Sequence, residues 1–372
     1  MPELREHERL QLMASTAVAR QETGCDRRRC GMTGLAARFA SLLATLALAT
    51  GCITIDLLGG GGDAPLAETV VRGVAGPKIL LLDVDGVIDG APSLPDTLLG
   101  ASPPSTVARV REVLDRARED DEVRAVLLRI DSPGGTATAS EQVYTEILRF
   151  RRERGMPVVA QLLTTAASGG YYVAMAADTV QAHPTTVTGS IGVIFTSLNI
   201  AGLMERIGIE DQTITAGEFK DAGSPFRRLT SDEREQLQSI VDDLHDRFRE
   251  VVEAGRPALG AERVRQLADG RIYSARQALE NGLVDRIGTL EDAVAELERR
   301  LGVTASRVVA YHRPRESRRN LYTRAPIRGL GARVEWPLES ALAPAGMTST
   351  LERILARPGF HYLWWPGLDG AR

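Results

Sequence analysis

Three apolar runs constrain this chain more than anything else in it. Ile79–Val84 (ILLLDV), Val123–Ile130 (VRAVLLRI) and Pro157–Leu163 (PVVAQLL) are continuous, not alternating. A continuous apolar strand is buried on both faces, and both faces are covered when helices cross over a parallel sheet. The intervening segments supply such helices. Thr106–Asp120 and Thr138–Arg152 both carry helical periodicity. Strand and helix in alternation imply an α/β fold with a largely parallel sheet and crossover connections.

The pattern continues downstream. In Ser231–Ala254, residues Leu237, Ile240, Val241, Leu244, Phe248, Val251 and Val252 share one helical face. Thr230 and Glu233 have the spacing of a capping box at its start. An apolar face of this kind packs into a core or against a subunit. Ala275–Ile287 (ARQALENGLVDRI) predicts a helix, a glycine stop and a short strand, and a further helix starts at Leu290. No internal repeat is apparent.

Both ends differ in character from this body. Phe39–Ile55 is apolar and uncharged, and Arg27, Arg28, Arg29 and Arg38 precede it. A basic stretch, a short apolar stretch and then small residues is the layout of an export signal. Leu48-Ala49-Thr50-Gly51-Cys52 resembles a bacterial lipobox, with the usual leucine displaced by one place. Lipidation at Cys52 and an uncleaved anchor both fit, because spans need ~17–25 residues and this stretch is at the short limit. A buried core helix is the third reading, disfavoured by the glycine-rich tether that follows, Gly59-Gly60-Gly61-Gly62. Between Arg299 and Arg333 there are ten arginines and one acidic residue, Glu316. These divide the chain into an export signal (1–52), a tether (53–76), a catalytic domain (77–304) and an arginine-rich extension outside the core (305–372).

Composition excludes several functions. A net charge of -4, a pI of about 5.9 and 5% aromatics are unlike a nucleic-acid binder. The three cysteines all precede residue 53, so the body has no thiolate metal site and no cysteine nucleophile. His7, His183, His245, His312 and His361 share no short ligand spacing. Neither a metal nor an organic cofactor is expected.

Two glycine-rich segments carry the chemistry. Ala166-Ala167-Ser168-Gly169-Gly170-Tyr171-Tyr172 follows the third strand and opens a helical pattern, Tyr171–Ala177. A serine among small residues at a strand-to-helix junction suits nucleophilic attack, and the amide after it and the helix start would face an oxyanion. A plain serine N-cap is the bland alternative. Asp131-Ser132-Pro133-Gly134-Gly135 ends the second strand, and its glycines can present a second amide. The nucleophile needs a base. His183 is near in sequence and fits a core histidine equally well. After Lys78, the only lysine is Lys220, in Gly217-Glu218-Phe219-Lys220-Asp221-Ala222. Arginine cannot replace it as a base. Lysine titrates near ~10.4 unperturbed, so a lysine base requires a dry pocket.

Taken together, DSPGG (131–135), AASGGYY (166–172), TGSIGV (188–193), GEFKDAGSP (217–225) and GLVD (282–285) resemble the signal peptide peptidase A family, also called protease IV. That family belongs to the crotonase/Clp-like superfamily. The resemblance covers roughly Lys78 to Arg300 in one copy. It implies a repeated ββα spiral with Ser168 as nucleophile and Lys220 as general base. Gly135 and Gly169 would supply the oxyanion hole, and Ser190 would orient the lysine. It further implies a homo-oligomer on membrane lipid in the bacterial cell envelope. Its catalytic domain would lie outside the cytoplasm and cleave short apolar peptides with small side chains, such as spent signal peptides. A crotonase-type acyl-CoA enzyme and a non-catalytic envelope scaffold are the rivals on the same fold.

Overall fold

The computed structural model describes residues 65–90, 104–314, 316, 318–323 and 360–363. Cys52 and the whole Phe39–Ile55 stretch lie outside them. No helix among the described residues is long and apolar enough to cross a membrane.

The three apolar runs form adjacent parallel strands at the centre of the sheet. They are β2 (Lys78–Ile88), β3 (Val123–Thr136) and β4 (Val158–Ala167). Each extends past its apolar run. Helix α1 (Thr106–Arg118) connects β2 to β3, and α2 (Ala137–Arg154) connects β3 to β4. Both start on a hydroxyl cap. Ser105 accepts from the Ala108 amide, and Thr136 accepts from the Ala139 amide. Alternate side chains of β2 and β3 then enter two cores. Leu80, Leu82, Val126 and Leu128 pack on one side of the sheet; Ile79, Leu81, Ala125 and Leu127 pack on the other. This is the largely parallel α/β architecture expected, with helices on both faces.

The sheet reaches beyond residues 77–304 on both sides. β1 (Ala67–Arg72) lies in the segment read as a tether. β10 (Arg307–His312), from the segment read as an extension, runs between β1 and β2. The reason is local. Val308-Val309-Ala310-Tyr311 is an apolar strand that the surrounding arginines disguised. Lys78 fastens this edge through bonds to Glu68 (2.9 Å) and Asp120 (2.8 Å), and the Tyr311 hydroxyl donates to Asp120 (2.7 Å). Arg129, in β3, pairs with Asp83 of β2 and also donates to the Leu321 carbonyl.

The later elements are β5 (Thr179–Ala182), β6 (Val187–Gly189), β7 (Ile194–Phe195), α4 (Ala201–Ile207) and the long helix α5 (Ser231–Gly255). They are preceded by the short helix α3 (Gly169–Ala174). The capping box of Thr230 and Glu233 is present on α5. After it come α6 (Gly260–Leu267), β8 (Ile272–Ser274), α7 (Ala275–Glu280), β9 (Arg286–Ile287) and α8 (Leu290–Leu301). The last described element is β11 (Phe360–Leu363).

One feature of the topology positions the site. The first part of β4 pairs with β5 over Val159–Leu162, but its end pairs with β6 over Thr165–Ala167. The sheet therefore forks where β4 finishes. Crevices outside the carboxyl ends of parallel strands are where α/β sheets bind ligands.

Candidate active site

Ser168 sits at the fork, directly after β4. Its backbone is at φ 53° and ψ -119°, which costs a non-glycine residue ~1–3 kcal/mol. Neighbouring bonds hold it there. Its amide donates to the Gly189 carbonyl (2.7 Å), and its carbonyl accepts from the Tyr172 amide (2.9 Å). The side chain is 1% exposed, and its Oγ has no hydrogen-bond partner among the described residues. A buried hydroxyl without a partner is costly in a purely structural role. The N-cap reading fails for the same reason, because Ser168 makes no side-chain cap bond. Helix α3 has only six residues, so little of the expected helix-end field remains.

The parallel register sets Ala167 opposite Gly189, so Ser168 and Ser190 leave the ends of β4 and β6 side by side. Among the described residues, only these two non-glycine residues have positive φ; Ser190 is at 50°. The Ser190 amide donates to the Arg271 carbonyl (2.8 Å). Two strained serines at neighbouring strand ends mark a functional constraint more firmly than either motif does in sequence.

The DSPGG turn is packed against Ser168's successors. A methyl group on Gly169 would lie 2.4 Å from Ser140 Oγ and 3.1 Å from Gly134 Cα; one on Gly170 would lie 2.6 Å from the Ser132 carbonyl. Gly134 has φ 102°. Gly134 is the glycine that faces Gly169, and Gly135 follows it, flat against Ile88. Ser132 shapes the turn by donating to the Gly86 carbonyl (2.6 Å) and accepting from the Gly134 amide (3.1 Å). Asp131 accepts from the Thr165 amide (2.9 Å), which ties this turn to β4. The sequence reading passed over Ser132, Asp131 and Ser140. The DSPGG string was the available signal for the first two, and nothing marked Ser140.

GLVD proves to be scaffolding. Gly282 turns at φ 74°, the Leu283 carbonyl accepts from the Tyr171 hydroxyl (2.7 Å), and Asp285 accepts from the Val180 amide (2.7 Å) and Arg256 (2.8 Å). His183 is bonded to Thr185 and makes no hydrogen bond to the Ser168 hydroxyl.

Lys220 is not brought to Ser168. It is exposed, and its amine makes no hydrogen bond or ion pair among the described residues. Its neighbour Asp221 is clamped. Arg227 donates to Asp221 (2.6 and 2.7 Å) and to Glu233 (2.8 Å), the capping residue of α5. The Arg227 hydrogen bond holds the Glu233 carboxyl down at about 2. The same bonds, foremost the one from Arg227, lower Asp221. No residue from Gly192 to Asp232 is buried. Leu198, Ile200, Leu203, Ile207, Ile209, Ile214, Phe219 and Phe226 are all exposed there. On α5, Leu237, Ile240, Val241 and Leu244 are only half-buried, whereas Phe248, Val251 and Val252 enter the core.

A cavity of about 290 Å³ lies elsewhere, between β2, β10 and α1, and touches neither Ser168 nor Lys220. Its charged lining is paired internally, as in Arg109–Asp85 and Arg318–Asp83.

Residues 150–304, which contain Ser168, Ser190 and Lys220, match the model of peptidase family S49. A protein of Enterococcus faecium named as a signal peptide peptidase is 37% identical over 251 residues, covering 68% of this chain and 72% of that one. A protein of Synechocystis named as a protease is 43% identical over 175 residues, or 47% of this chain and 62% of that one. Protease 4 of Haemophilus influenzae is 34% identical over 221 residues, or 59% of this chain and 34% of that one. Among solved structures, a membrane-bound stomatin-specific protease aligns at 14% identity over 60% of this chain and 86% of that one. Its TM-score of 0.37 is too low to bear on the site. The similarity to the Enterococcus protein over most of both chains, together with the family match across the strained serines, places this chain in peptidase family S49, a family of serine peptidases.

Proposed function

We propose that the chain is a serine endopeptidase with a Ser168–Lys220 dyad, completed only when two copies meet. The observation that carries this reading is the Ser168 hydroxyl: buried, held by a strained backbone and lacking any partner among the described residues. On this reading one chain supplies the nucleophile and another supplies the base. Lys220 stands on a surface whose exposed apolar side chains favour contact with another subunit. A closed ring of identical contacts would bring each Lys220 to a neighbour's Ser168 and Ser190 and would dry the amine.

In the assembled site, neutral Lys220 takes the Ser168 proton while Oγ attacks the peptide carbonyl carbon. The Gly135 and Gly169 amides hold the oxyanion. Lys220 then returns the proton to the leaving amine. Water, deprotonated by the same lysine, releases the acyl group and restores Ser168. Ser190 accepts from the lysine amine and aims it.

The substrates on this reading are short apolar peptides, spent signal peptides among them, at the membrane of a cell envelope, with the domain outside the cytoplasm. Lipidation at Cys52 would attach it, and a mature chain beginning at Cys52 with added lipid mass would bear this out.

The deciding experiment is labelling with a serine-directed fluorophosphonate, alongside peptide hydrolysis. Wild type should label and hydrolyse, and Ser168→Ala should do neither. Hydrolysis that survives Ser168→Ala would remove the assignment.

A further inference from the structure

Glu141 of α2 stands where α2, α3 and α5 come together, and both its oxygens are used. One accepts from Arg247 of α5 (3.0 Å) and from the Thr145 hydroxyl (3.2 Å). The other accepts from Arg247 (3.2 Å) and from the Tyr172 hydroxyl of α3. Burial works to raise this carboxyl, yet the hydrogen bonds from Arg247 and Tyr172 hold it below its usual value. Burial and the bond to Glu141 both raise Tyr172, which therefore keeps its proton. A hydroxyl donating to an ionised carboxylate makes a stronger and better-directed bond than one donating to a neutral acceptor.

Tyr172 leads from this carboxylate to Ser168. Its amide donates to the Ser168 carbonyl at 2.9 Å. Helix α3 has only six residues, and a helix so short has little stability of its own. Its place is set by what Tyr172 touches. The ring is buried, edge-on to Tyr144 of α2 (5.4 Å, 82°) and tilted against Phe248 of α5 (4.9 Å, 55°). Apolar contacts hold the ring but give it no direction; the hydroxyl bond to Glu141 supplies one. Stability is a poor explanation for the ionic part of this arrangement. Arg247 is 46% exposed and Glu141 35%, and ion pairs so open to water contribute little to stability. Orientation is a better one, because misplacing a reacting group by ~1 Å can cost about 10²-fold in rate.

Resting on Ser168 as the nucleophile and deepening that reading, we propose that Glu141 is a positioning residue of the peptidase. Through Tyr172 it sets the angle at which α3 presents Ser168 and the Gly169 amide. Through Arg247 it refers that angle to α5, the helix whose first turns carry the half-buried Leu237, Ile240 and Val241. Glu141 touches no substrate and transfers no proton; it acts through the nucleophile turn.

The test uses the full chain. Tyr172→Phe deletes the hydroxyl and keeps the buried ring. Glu141→Ala deletes the acceptor, and Glu141→Gln keeps an acceptor of the same length without its charge. With a short apolar peptide as substrate, Tyr172→Phe and Glu141→Ala should each lower kcat by about 10- to 100-fold, with KM within about threefold of wild type. Glu141→Gln should return kcat to within about fivefold of wild type. The double variant Glu141→Ala/Tyr172→Phe should be no slower than Glu141→Ala, because both substitutions cut one link. Labelling of Ser168 by a fluorophosphonate should slow in the same ratio as kcat, while the melting temperature changes little. Unchanged kcat in both single variants, a loss confined to KM, or losses that multiply in the double variant would overturn the inference. Should Glu141→Ala fail to fold, Tyr172→Phe, which keeps every ring contact, decides alone. Amide hydrogen exchange at residues 169–172 needs no turnover, and it should quicken about tenfold or more in both single variants. If exchange quickens but Ser168 of the wild type neither labels nor supports hydrolysis, the link from Glu141 stands and the peptidase reading falls. If hydrolysis depends on Ser168 while kcat and exchange ignore both substitutions, the peptidase reading stands and this inference falls.

Discussion

The two halves of the proposed active site are built in opposite ways. The nucleophile half, β3, β4 and α3, is closed and over-determined. Gly134, Gly169 and Gly170 are packed so tightly that a single methyl would collide with backbone or with Ser140. Ser168 and Ser190 hold unfavourable backbone angles because the β4–β6 ladder and buried amides leave them no alternative. The base half, from Gly192 to Asp232, buries nothing and holds its shape through the polar clamp of Asp221, Arg227 and Glu233. A strained, dry nucleophile and a wet, exposed base belong to one catalytic unit if assembly joins them. Activity is then tied to the oligomer, and a lone subunit is harmless to its surroundings.

The largest expected effect falls on the dyad. Ser168→Ala and Lys220→Ala should each lower kcat/KM by about 10⁴-fold or more, and the double variant should be no worse, because the residues act as a unit. Steady-state hydrolysis of a short apolar peptide measures this. Additive losses would separate the two halves.

Crowding the nucleophile half comes next. Gly169→Ala places a methyl 2.4 Å from Ser140 Oγ and must displace the amide beside the nucleophile. A loss of about 10²–10³-fold in kcat is expected, typical of a lost oxyanion donor. The variant's melting temperature, read in parallel, distinguishes this from unfolding.

Loosening the base half should cost less. Arg227→Gln frees Asp221 and the start of α5 while leaving Lys220 in place, and a drop of about tenfold in kcat is expected. Hydrolysis by the wild type should also rise with pH and then flatten, since only the neutral amine accepts the serine proton. A rate that peaks near pH 5 would exclude a lysine base.

The smallest effect lies far from both halves. Burial alone would raise the Asp120 carboxyl, but hydrogen bonds from Lys78 and Tyr311 hold it at about 2, against 3.8 unperturbed. A carboxyl lowered on folding contributes stability that is complete above its unfolded value and is lost as pH falls through its folded one. Asp120→Asn should therefore cost about 2 kcal/mol near neutral pH, and should flatten the loss of stability between about pH 4 and pH 2. Urea titrations at several pH values read this, with activity little changed.

Much of the nucleophile half was legible in the sequence, because continuous apolar runs and glycine-rich strand ends report burial and backbone conformation directly. Ser168 stood out by its small neighbours, and the α5 start by its capping box. The edges were not legible. Val308–Tyr311 is a core strand hidden among arginines, and Phe360–Leu363 is short enough that only the ladder with Gly134–Thr136 reveals it. That Lys220 is exposed and makes no bond to Ser168 was equally hidden, since a family motif pattern does not report side-chain contacts. In the first turns of α5, Leu237, Ile240 and Val241 are apolar and only half-buried in one chain.

Mixing tests the shared site most directly. Ser168→Ala and Lys220→Ala chains, each inactive alone, are co-expressed with different tags, and mixed oligomers are purified through both. If each site takes its serine from one copy and its lysine from the next, random mixing restores complete dyads at about a quarter of the sites. Hydrolysis should recover to about that fraction of wild type. Mixed oligomers that stay as inactive as the single variants would contradict a site shared between copies.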